Sequence, residues 1–345
     1  MQATRLGRTG LNVTRTSMGV LPLQRTEMEE AVRILRAARD AGITFFDTAR
    51  AYTDSEEKMG RAFAGVRDSV IIATKSTAAD RAGVLADLET SLRTLRTDYV
   101  DLLQIHNAST VPSPDDPESP YAALLEARRK GMARSIGITS HRRDVAEAAV
   151  DSGLFDTLQY PLCSISSEDD LALIDRCGAA DMGIIAMKAL SGGLLTNIRA
   201  AFAFMRQFEN LVPIWGIQRM SELEEFIALD ADPPVMDDEL CAAIERDRAE
   251  LSGGFCRACG YCLPCPANIP LPMATRMGLM LRRMPYQQFM SDQWREQMHR
   301  IENCIDCGHC REHCPYGLDV PALLASSLAE YDEFYQHYTA DRPQE

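Results

Sequence analysis

The chain has 345 residues, 46% of them hydrophobic and 25% charged, which is typical of a globular protein with room for two domains or for one large barrel plus a module. Its net charge of −14 argues against nucleic acid and anionic membranes as main partners, because both attract basic patches. The sequence contains neither an apolar run typical of a signal peptide nor one long enough to span a membrane, so we expect a cytoplasmic protein.

Over about the first 235 residues, short β-branched or apolar runs alternate with longer amphipathic runs. This alternation predicts βα units around a parallel sheet, with helices that include Glu27–Ala41, Arg81–Leu95 and Asp144–Ser152. The eight predicted strands are Ser17–Val20, Ile43–Asp47, Val70–Lys75, Val100–His106, Ser135–Ile138, Thr157–Gln159, Gly183–Met187 and Leu211–Ile214. Eight such units predict an α/β fold, the (β/α)8 TIM barrel. A doubly wound open sheet is the alternative, but no G-x-G-x-x-G follows the first strand.

Polar side chains close the second, third and fourth predicted strands, and in a TIM barrel the chemistry lies at those carboxyl ends. We therefore expect Asp47, Tyr52, Lys75 and His106 to meet at one mouth. A carbonyl reduced by hydride must receive a proton, for which Tyr52 is the predicted acid. Lys75 would lower the pKa of the phenol, Asp47 would hold the lysine, and His106 would orient the carbonyl. A single Asp or His at a strand end commonly has only a structural role, but the four together favour catalysis.

These four residues, in this order on successive strand ends, resemble the catalytic tetrad of the aldo/keto reductases. The segment Arg5–Val13 is similar to the hairpin that closes the barrel bottom in that family, and Asp54–Gly60 is similar to its next helix. The resemblance covers roughly residues 4–228. It implies an oxidoreductase that uses NAD(P)H to interconvert a small-molecule carbonyl and an alcohol.

The resemblance also implies cofactor contacts. Three residues after strands five and six look like those that hold the nicotinamide carboxamide: Thr139, Ser140 and Gln159. The loop after strand seven resembles the one that crosses the pyrophosphate, through Met187, Leu190, Gly192 and Leu194, although a simple glycine turn is the alternative. The segment after strand eight resembles the adenosine-ribose site, through Gly216, Gln218, Arg219 and Glu225. Because Arg219 is the one basic residue there, the sequence does not separate NADH from NADPH.

The segment Asp230–Pro234 interrupts the pattern and predicts a domain boundary. We predict a barrel domain over residues 1–235 and a helical linker with a small, mainly α-helical iron–sulfur domain over residues 236–345. The first helix of this part is predicted at Asp237–Leu251.

Eight of the eleven cysteines lie in two runs of this second domain. The later run, Cys304, Cys307, Cys310 and Cys314 before a proline, matches the bacterial C-x2-C-x2-C-x3-C-P pattern. The earlier run, Cys256, Cys259, Cys262 and Cys265, has a last gap shorter by one residue. Zinc usually takes two separated pairs and disulfides need an oxidising compartment, so both fit these runs less well than [4Fe-4S] clusters.

In two-cluster ferredoxins the last cysteine of each run binds the other cluster. We therefore predict that Cys256, Cys259, Cys262 and Cys314 hold one cluster, and that Cys304, Cys307, Cys310 and Cys265 hold the second. The spacer between the runs reads as one long helical segment and resembles the α-helical two-cluster ferredoxins. Barrel and module together are similar to the ferredoxin-fused branch of the aldo/keto reductases.

Three functions stay open at this stage. The first is an oxidoreductase whose clusters exchange electrons with a ferredoxin-like or other electron-transfer protein. The second is a carbonyl reductase whose clusters only build the domain or sense oxygen. The third is a non-enzymatic electron-transfer protein on a barrel scaffold. A nicotinamide exchanges two electrons and a cluster one, and no flavin fingerprint is visible in the sequence to convert between them.

Overall fold

The computed structural model describes residues 1–251 and 254–340, which form two compact units. The first unit comprises residues 1–189 and 198–244, and the second comprises residues 190–197 and those from 245 onward. The division falls within the helix Asp238–Leu251, and a loop of the barrel sequence groups with the carboxy-terminal part. The boundary expected after residue 235 stays a prediction.

The first unit is built around a closed barrel of eight parallel strands, as predicted. An antiparallel hairpin precedes it, formed by β1 (Ala3–Arg5) and β2 (Asn12–Thr14). The barrel strands are β3 (Ser17–Gly19), β4 (Phe45–Asp47), β5 (Ile71–Ser76), β6 (Val100–Ile105), β7 (Ala133–Thr139), β8 (Thr157–Pro161), β9 (Gly183–Met187) and β10 (Leu211–Gly216). They follow one another in chain order, and β10 pairs with β3 to close the barrel. The open-sheet alternative is thereby excluded.

Helices connect the strands: α1 (Met28–Asp40), α2 (Ser55–Ala62), α3 (Arg81–Leu95), α4 (Pro120–Arg129), α5 (Arg143–Ser152), α6 (Glu168–Ala179), α7 (Ile198–Arg206) and α8 (Met220–Ala231). Several begin at a side chain that caps the helix. Asp80 accepts a hydrogen bond from the Gly83 amide at 2.7 Å, and Ser119 and Ser167 cap α4 and α6 in the same way. Single 3-10 turns lie at Gly7–Thr9, Leu21–Arg25 and Arg67–Ser69.

The hairpin supplies apolar side chains to the barrel interior, as the resemblance implied. Leu6 and Val13 are fully buried in a cluster that also contains Phe45 of β4. Gly7 has a φ of +50°, and a Cβ there would lie 2.1 Å from the backbone nitrogen of Gly183. Only glycine permits this close approach of the hairpin to β9.

The second unit contains the carboxy-terminal half of α9 (Asp238–Leu251) and further helices, most of them short and the last 21 residues long. They are α10 (Leu271–Ala274), α11 (Met277–Arg283), α12 (Asp292–His299), α13 (His309–Glu312) and α14 (Val320–Ala340), with 3-10 turns at Tyr286–Phe289 and Arg300–Asn303. The spacer between the cysteine runs is therefore helical but is not one long helix. It turns at Pro285, which follows α11 closely and cannot continue a helix. No helix in the described ranges is long and apolar enough to span a membrane.

Candidate functional site

A buried ion pair lies at the carboxyl ends of β4 and β5. Lys75 Nζ donates to Asp47 Oδ1 at 2.5 Å and to the carbonyl oxygen of Thr48 at 2.6 Å. The two side chains are only 1% and 2% exposed. Parallel pairing sets Asp47 beside Ala73, so that Lys75 stands two residues further toward the mouth and reaches back to the carboxylate. The geometry fixes the ammonium in one position with its charge compensated.

Two glutamines complete the surroundings of this carboxylate. Gln104 Nε2 donates to Asp47 Oδ2 at 3.3 Å and to Gln159 Oε1 at 3.0 Å, while Gln159 Nε2 donates to Asp47 Oδ1 at 3.4 Å. Gly137 lies between β6 and β8, and a Cβ there would come 3.1 Å from Gln104 Cγ. Gln159 was predicted as a cofactor residue, whereas here both ends of its amide belong to the network around Asp47.

The phenol of Tyr52 lies beside the ion pair. Lys75 Nζ is 5.2 Å from the centroid of its ring, and the His106 ring lies edge-on with centroids 5.6 Å apart. Burial raises the pKa of Tyr52 above its ordinary value, Lys75 opposes this rise and Asp47 adds to it. Lys75 thus lowers the pKa of the phenol, as expected, but burial outweighs the ammonium and the net shift is upward.

The imidazole of His106 follows β6 directly. Burial and the charge of Lys75 lower the pKa of His106 to about 3, so the ring is neutral at physiological pH. Among the described residues its buried Nδ1 has no hydrogen-bond partner, and the same holds for Oε1 of Gln104 and Oδ1 of Asn107. Three buried polar atoms without partners near the end of one strand suit a site that a polar ligand completes.

The hydroxyls predicted to hold a carboxamide have structural partners. Thr139 Oγ1 accepts from the Asn107 amide at 2.8 Å, and Ser140 Oγ donates to the Ala108 carbonyl at 2.8 Å. Both side chains thus hold the loop after β6 against the end of β7. Their contact with a cofactor stays a prediction.

Sequence reasoning missed two residues of this site. Gln104 lies within β6, where a polar side chain interrupting an apolar strand was an available signal. His141 is buried directly after Ser140, and burial with the charge of Lys188 and the presence of His106 lowers the pKa of His141 well below its usual range. The available signal was that His141 directly follows Thr139 and Ser140, the two residues predicted to contact the carboxamide.

The remaining predicted cofactor residues of the first unit occupy the ends of β9 and β10 and the segment after them. Met187 and Gly216 are the last residues of their strands. Gln218 accepts from Arg25 at 3.2 Å. Arg219 is 74% exposed and its guanidinium is bound by Glu222 at 2.9 Å, while Glu225 lies on an exposed face of α8. Arg219 is therefore already paired with a carboxylate.

The predicted pyrophosphate loop begins at Met187 in the first unit, and its residues from Leu190 onward lie in the segment 190–197, which belongs to the second unit. Its residues Ser191, Gly192 and Gly193 all have positive φ, of 51°, 67° and 89°. Arg276 Nη2 donates to the carbonyls of Ser191 at 3.4 Å and Gly192 at 3.1 Å. Arg283 Nη1 donates to the carbonyl of Leu194 at 2.7 Å. Two arginines thus bind the loop through its carbonyls, and Leu190, Gly192 and Leu194 all lie within it.

The eight clustered cysteines line two cavities of similar size. The first is lined by Cys256, Cys259, Cys262 and Cys314, and the second by Cys265, Cys304, Cys307 and Cys310, with Cys262 also at its wall. In the described part of the chain, no three His, Cys, Asp or Glu side chains converge on one point as ligands of a single ion do. Thiolates around a cubane bind separate irons and stand apart, so the two cysteine sets fit such clusters.

The two cysteine runs share one backbone turn. Ala258 and Gly260 have φ of 50° and 88°, and Asp306 and Gly308, at the same places in the second run, have φ of 46° and 78°. This repeated left-handed geometry folds the first three cysteines of the earlier run around the first cavity and those of the later run around the second. Glycine after the second cysteine accommodates it at no steric cost.

The isolated cysteines take no part in these cavities. Cys163 and Cys177 are buried in the first unit, while Cys241 is exposed on α9. Burial raises the pKa of the Cys177 thiol to about 12, as expected of an inert core residue.

Comparison with known proteins agrees with both parts of this description. Residues 14–228 match the aldo/keto reductase family, and residues 255–319 match a 4Fe-4S dicluster domain. The chain therefore belongs to the aldo/keto reductase family and carries a carboxy-terminal 4Fe-4S dicluster domain. The family and the module predicted from the tetrad and the cysteine spacing are confirmed.

Aldo-keto reductase YhdN of Bacillus subtilis (strain 168) is 30% identical over 217 residues, which cover 57% of this chain and 64% of that protein. The match thus spans less than two thirds of this relative. The crystal structure of the thermostable aldo-keto reductase Tm1743 has a TM-score of 0.59 at 26% identity, covering 72% of this chain and 100% of that one. An aldo-keto reductase from Klebsiella pneumoniae in complex with NADPH has the same fold, with a TM-score of 0.58 at 22% identity, covering 71% and 94%.

Proposed function

We propose that the chain is an NAD(P)H-dependent oxidoreductase that interconverts a small-molecule carbonyl and its alcohol. The observation that carries the proposal is the buried Lys75–Asp47 pair beside the phenol of Tyr52. The bound nicotinamide would supply or accept the hydride. The structure of the Klebsiella relative with NADPH supports this choice of cofactor.

The residues of the chain would handle the proton. Burial raises the pKa of Tyr52, so the phenol is protonated at neutral pH and can donate to the substrate oxygen. Once the proton has left, the phenolate stands next to the ammonium of Lys75, which stabilises it. Asp47 and the Thr48 carbonyl keep that ammonium in place at 2.5 and 2.6 Å. Neutral His106 would donate a hydrogen bond to the same oxygen and orient it.

The cofactor contacts are proposed on the positions that match the family. Thr139, Ser140 and Gln159 would lie at the nicotinamide carboxamide. Met187 and the loop residues Leu190, Gly192 and Leu194 would lie at the pyrophosphate. Gly216, Gln218, Arg219 and Glu225 would lie at the adenosine ribose. Arg219 forms an ion pair with Glu222 and is not free to bind a 2′-phosphate, so this side chain favours neither NADPH nor NADH.

We further propose that the module binds two [4Fe-4S] clusters, which transfer single electrons when bound. Cys256, Cys259, Cys262 and Cys314 would hold the first, and Cys304, Cys307, Cys310 and Cys265 the second. The lining of the two cavities supports this crossed assignment over one cluster per run.

The second cluster is the better placed to meet an electron-transfer protein. Cys304 and Cys307 are exposed, whereas all four cysteines of the first cavity are half-buried. Ile305 between them is 68% exposed, an apolar side chain in water at the rim of a redox site. A ferredoxin-like partner that docks there would approach the second cluster directly.

The test of the hydride-transfer proposal uses Tyr52→Phe in protein purified without oxygen. Losing the acid should slow oxidation of NADPH by an aldehyde at least about a hundredfold, the lower end for general acid catalysis. Tyr99→Phe is the matched control, because the Tyr99 hydroxyl donates to Asp68 and its ring contacts Arg67 and Arg134, which are not site residues. An unchanged rate in Tyr52→Phe would refute the role of Tyr52 as the acid, and no oxidation of NADPH by an aldehyde in the wild-type protein would favour a non-enzymatic barrel.

The cluster proposal is tested on the same preparation. Two cubanes require about eight iron and eight sulfide per chain. Addition of NADPH alone, without another reductant, then separates electron transfer from a structural role. Bleaching of the thiolate-to-iron absorption would support electron transfer from the nicotinamide to the clusters, and an unchanged spectrum would favour clusters that only build the domain.

A further inference from the structure

Arg276 is a buried cation in the second unit. It lies between α10 and α11 and is 6% exposed, and its Nη2 donates to the carbonyls of Ser191 and Gly192. A Cβ on Gly192 would stand 3.2 Å from Nη1 and 3.3 Å from Nη2. The guanidinium is thus in close contact with the loop 190–197, and the glycine makes that contact fit.

Its charge has no carboxylate partner among the residues that the structure describes. No salt bridge to Arg276 occurs within the described ranges, and its buried Nε has no hydrogen-bond partner there. By contrast Arg283, which also binds the loop, is paired with Asp247 at 2.8 Å and with Glu250. Burying an uncompensated guanidinium is costly, so a negative charge near Arg276 is expected.

The first cysteine cavity supplies that charge. Thr275, the residue before Arg276, lines the cavity together with Leu271, Arg257 and the four cysteines. Burial lowers the pKa of Arg276, the nearby Cys256 acts against that lowering, and the charge of Arg257 adds to it. A cluster bound by four thiolates carries net negative charge and would be the missing counter-ion.

We propose that Arg276 is a positioning residue that couples the loop 190–197 to the cluster held by Cys256, Cys259, Cys262 and Cys314. The inference rests on the proposed function, in which this loop binds the dinucleotide pyrophosphate. The charge of Arg276 then acts on two anions, and Arg257 at the cavity wall is a second cation beside the cluster. Binding of the pyrophosphate and reduction of the cluster therefore oppose each other, and by linkage each changes the other by the same factor.

The sign of the coupling follows from charge. An electron added to the cluster increases its negative charge and draws the guanidinium toward it, so the loop is held less well for an anion. A reduced cluster should weaken binding of the pyrophosphate. Equally, a bound pyrophosphate should lower the midpoint potential of that cluster and leave the other unchanged.

The experiment uses the full chain with both clusters and ADP-ribose, which contains the pyrophosphate but cannot accept hydride. Its Kd is measured by calorimetry without oxygen, first with oxidised clusters and then after one-electron reduction by dithionite. We expect binding at least about fivefold weaker in the reduced state, the lower end of couplings between sites. At 59 mV per tenfold change for one electron, this equals a fall of about 41 mV in one midpoint potential, measured by titration with electron paramagnetic resonance.

Three variants assign the coupling to this side chain. Arg276→Gln should remove the dependence of Kd on redox state and lower the potential of one cluster even without ligand. Arg276→Lys keeps the charge and should keep that potential near the wild-type value. Arg283→Gln, which removes the contact with the Leu194 carbonyl, should weaken ADP-ribose binding equally in both redox states. Iron content checks that each variant has folded.

The outcomes separate this inference from the proposed function. Equal ADP-ribose affinities in the two redox states of the wild-type protein would overturn the coupling while leaving the cofactor site intact. A coupling that persists in Arg276→Gln would overturn the role of this residue. Absence of ADP-ribose binding in both states would remove the proposed cofactor site, and this inference with it.

Discussion

The two candidate sites of this chain are held in place by different means. In the barrel, Asp47 and Lys75 project from strands whose backbone hydrogen bonds run from one strand to the next around a closed sheet. In the second unit, the clustered cysteines lie on loops and turns, apart from Cys310 on α13, a helix of four residues. A helix of that length has no stability of its own in water.

This difference shows which interactions supply the free energy that orders each site. The barrel site is preformed by the fold, so its polar residues are in position before any cofactor binds. The cysteine site depends on bonds from thiolates to iron, because metal binding free energy becomes folding free energy when the ligands are otherwise unordered. The barrel should therefore tolerate loss of its ligand, and the module should not.

The largest expected effect is loss of the module on removal of iron. Treatment of the whole chain with a chelator and an oxidant should abolish slow hydrogen exchange in α10 through α13, while amides of β6 stay protected. Hydrogen exchange read by mass spectrometry makes this measurement. Rebuilding the clusters with iron and sulfide should restore the protection. Equal protection of the module with and without iron would show that its helices are stable alone, and the comparison would fail.

A smaller effect is expected from Lys75→Met, which leaves Asp47 buried without its partner. Breaking one side of a buried pair costs about 3–5 kcal/mol. At about 2–4 °C per kcal/mol for a domain of this size, the Tm of the barrel should fall by roughly 6–20 °C. The double variant Asp47→Asn/Lys75→Met removes the stranded charge and should recover part of this loss.

Calorimetry reads the stability of these variants, and iron analysis provides the control. Iron content should not change, because the pair and its hydrogen-bond partners all lie in the first unit. If Lys75→Met were as stable as the wild-type protein, Asp47 would not be a buried charge, and the preformed character of the barrel site would have to be abandoned.

The parts of this molecule that the sequence predicts are those set by local pattern. The alternation of strands with helices predicts the barrel, and the ends of the predicted strands indicate the position of Asp47, Lys75 and His106. Cysteine spacing predicted the module because three thiolates at every third residue have few other uses. Each of these signals lies within a short stretch of chain.

The parts that escaped prediction depend on closure. Gln104 and Gln159 meet Asp47 only because the barrel brings residues 57 and 112 positions apart into contact. The net direction of the Tyr52 pKa depends on how deeply the phenol is buried, which spacing does not contain. The loop 190–197 reads as part of the barrel, yet it is bound in the second unit by Arg276 and Arg283, which follow the contacted residues by 84 and 89 positions.

The smallest expected effect sharpens the comparison through pH. His106 has a pKa of about 3 in the folded protein against an ordinary value of 6.5, so below about pH 6.5 the unfolded chain binds a proton that the native barrel does not. Stability should be complete above that pH and fall as the pH drops toward 3. His106→Gln should therefore lose less Tm than the wild-type protein between about pH 7 and about pH 5. His141→Gln should act in the same direction, since the pKa of buried His141 is also lowered.

His337→Gln, on an exposed position of α14, controls for the loss of a histidine. Scanning fluorimetry across the pH range gives the slopes, and an imidazole of His106 that titrates near its ordinary value would show that water reaches this site freely and that the fold does not hold it dry.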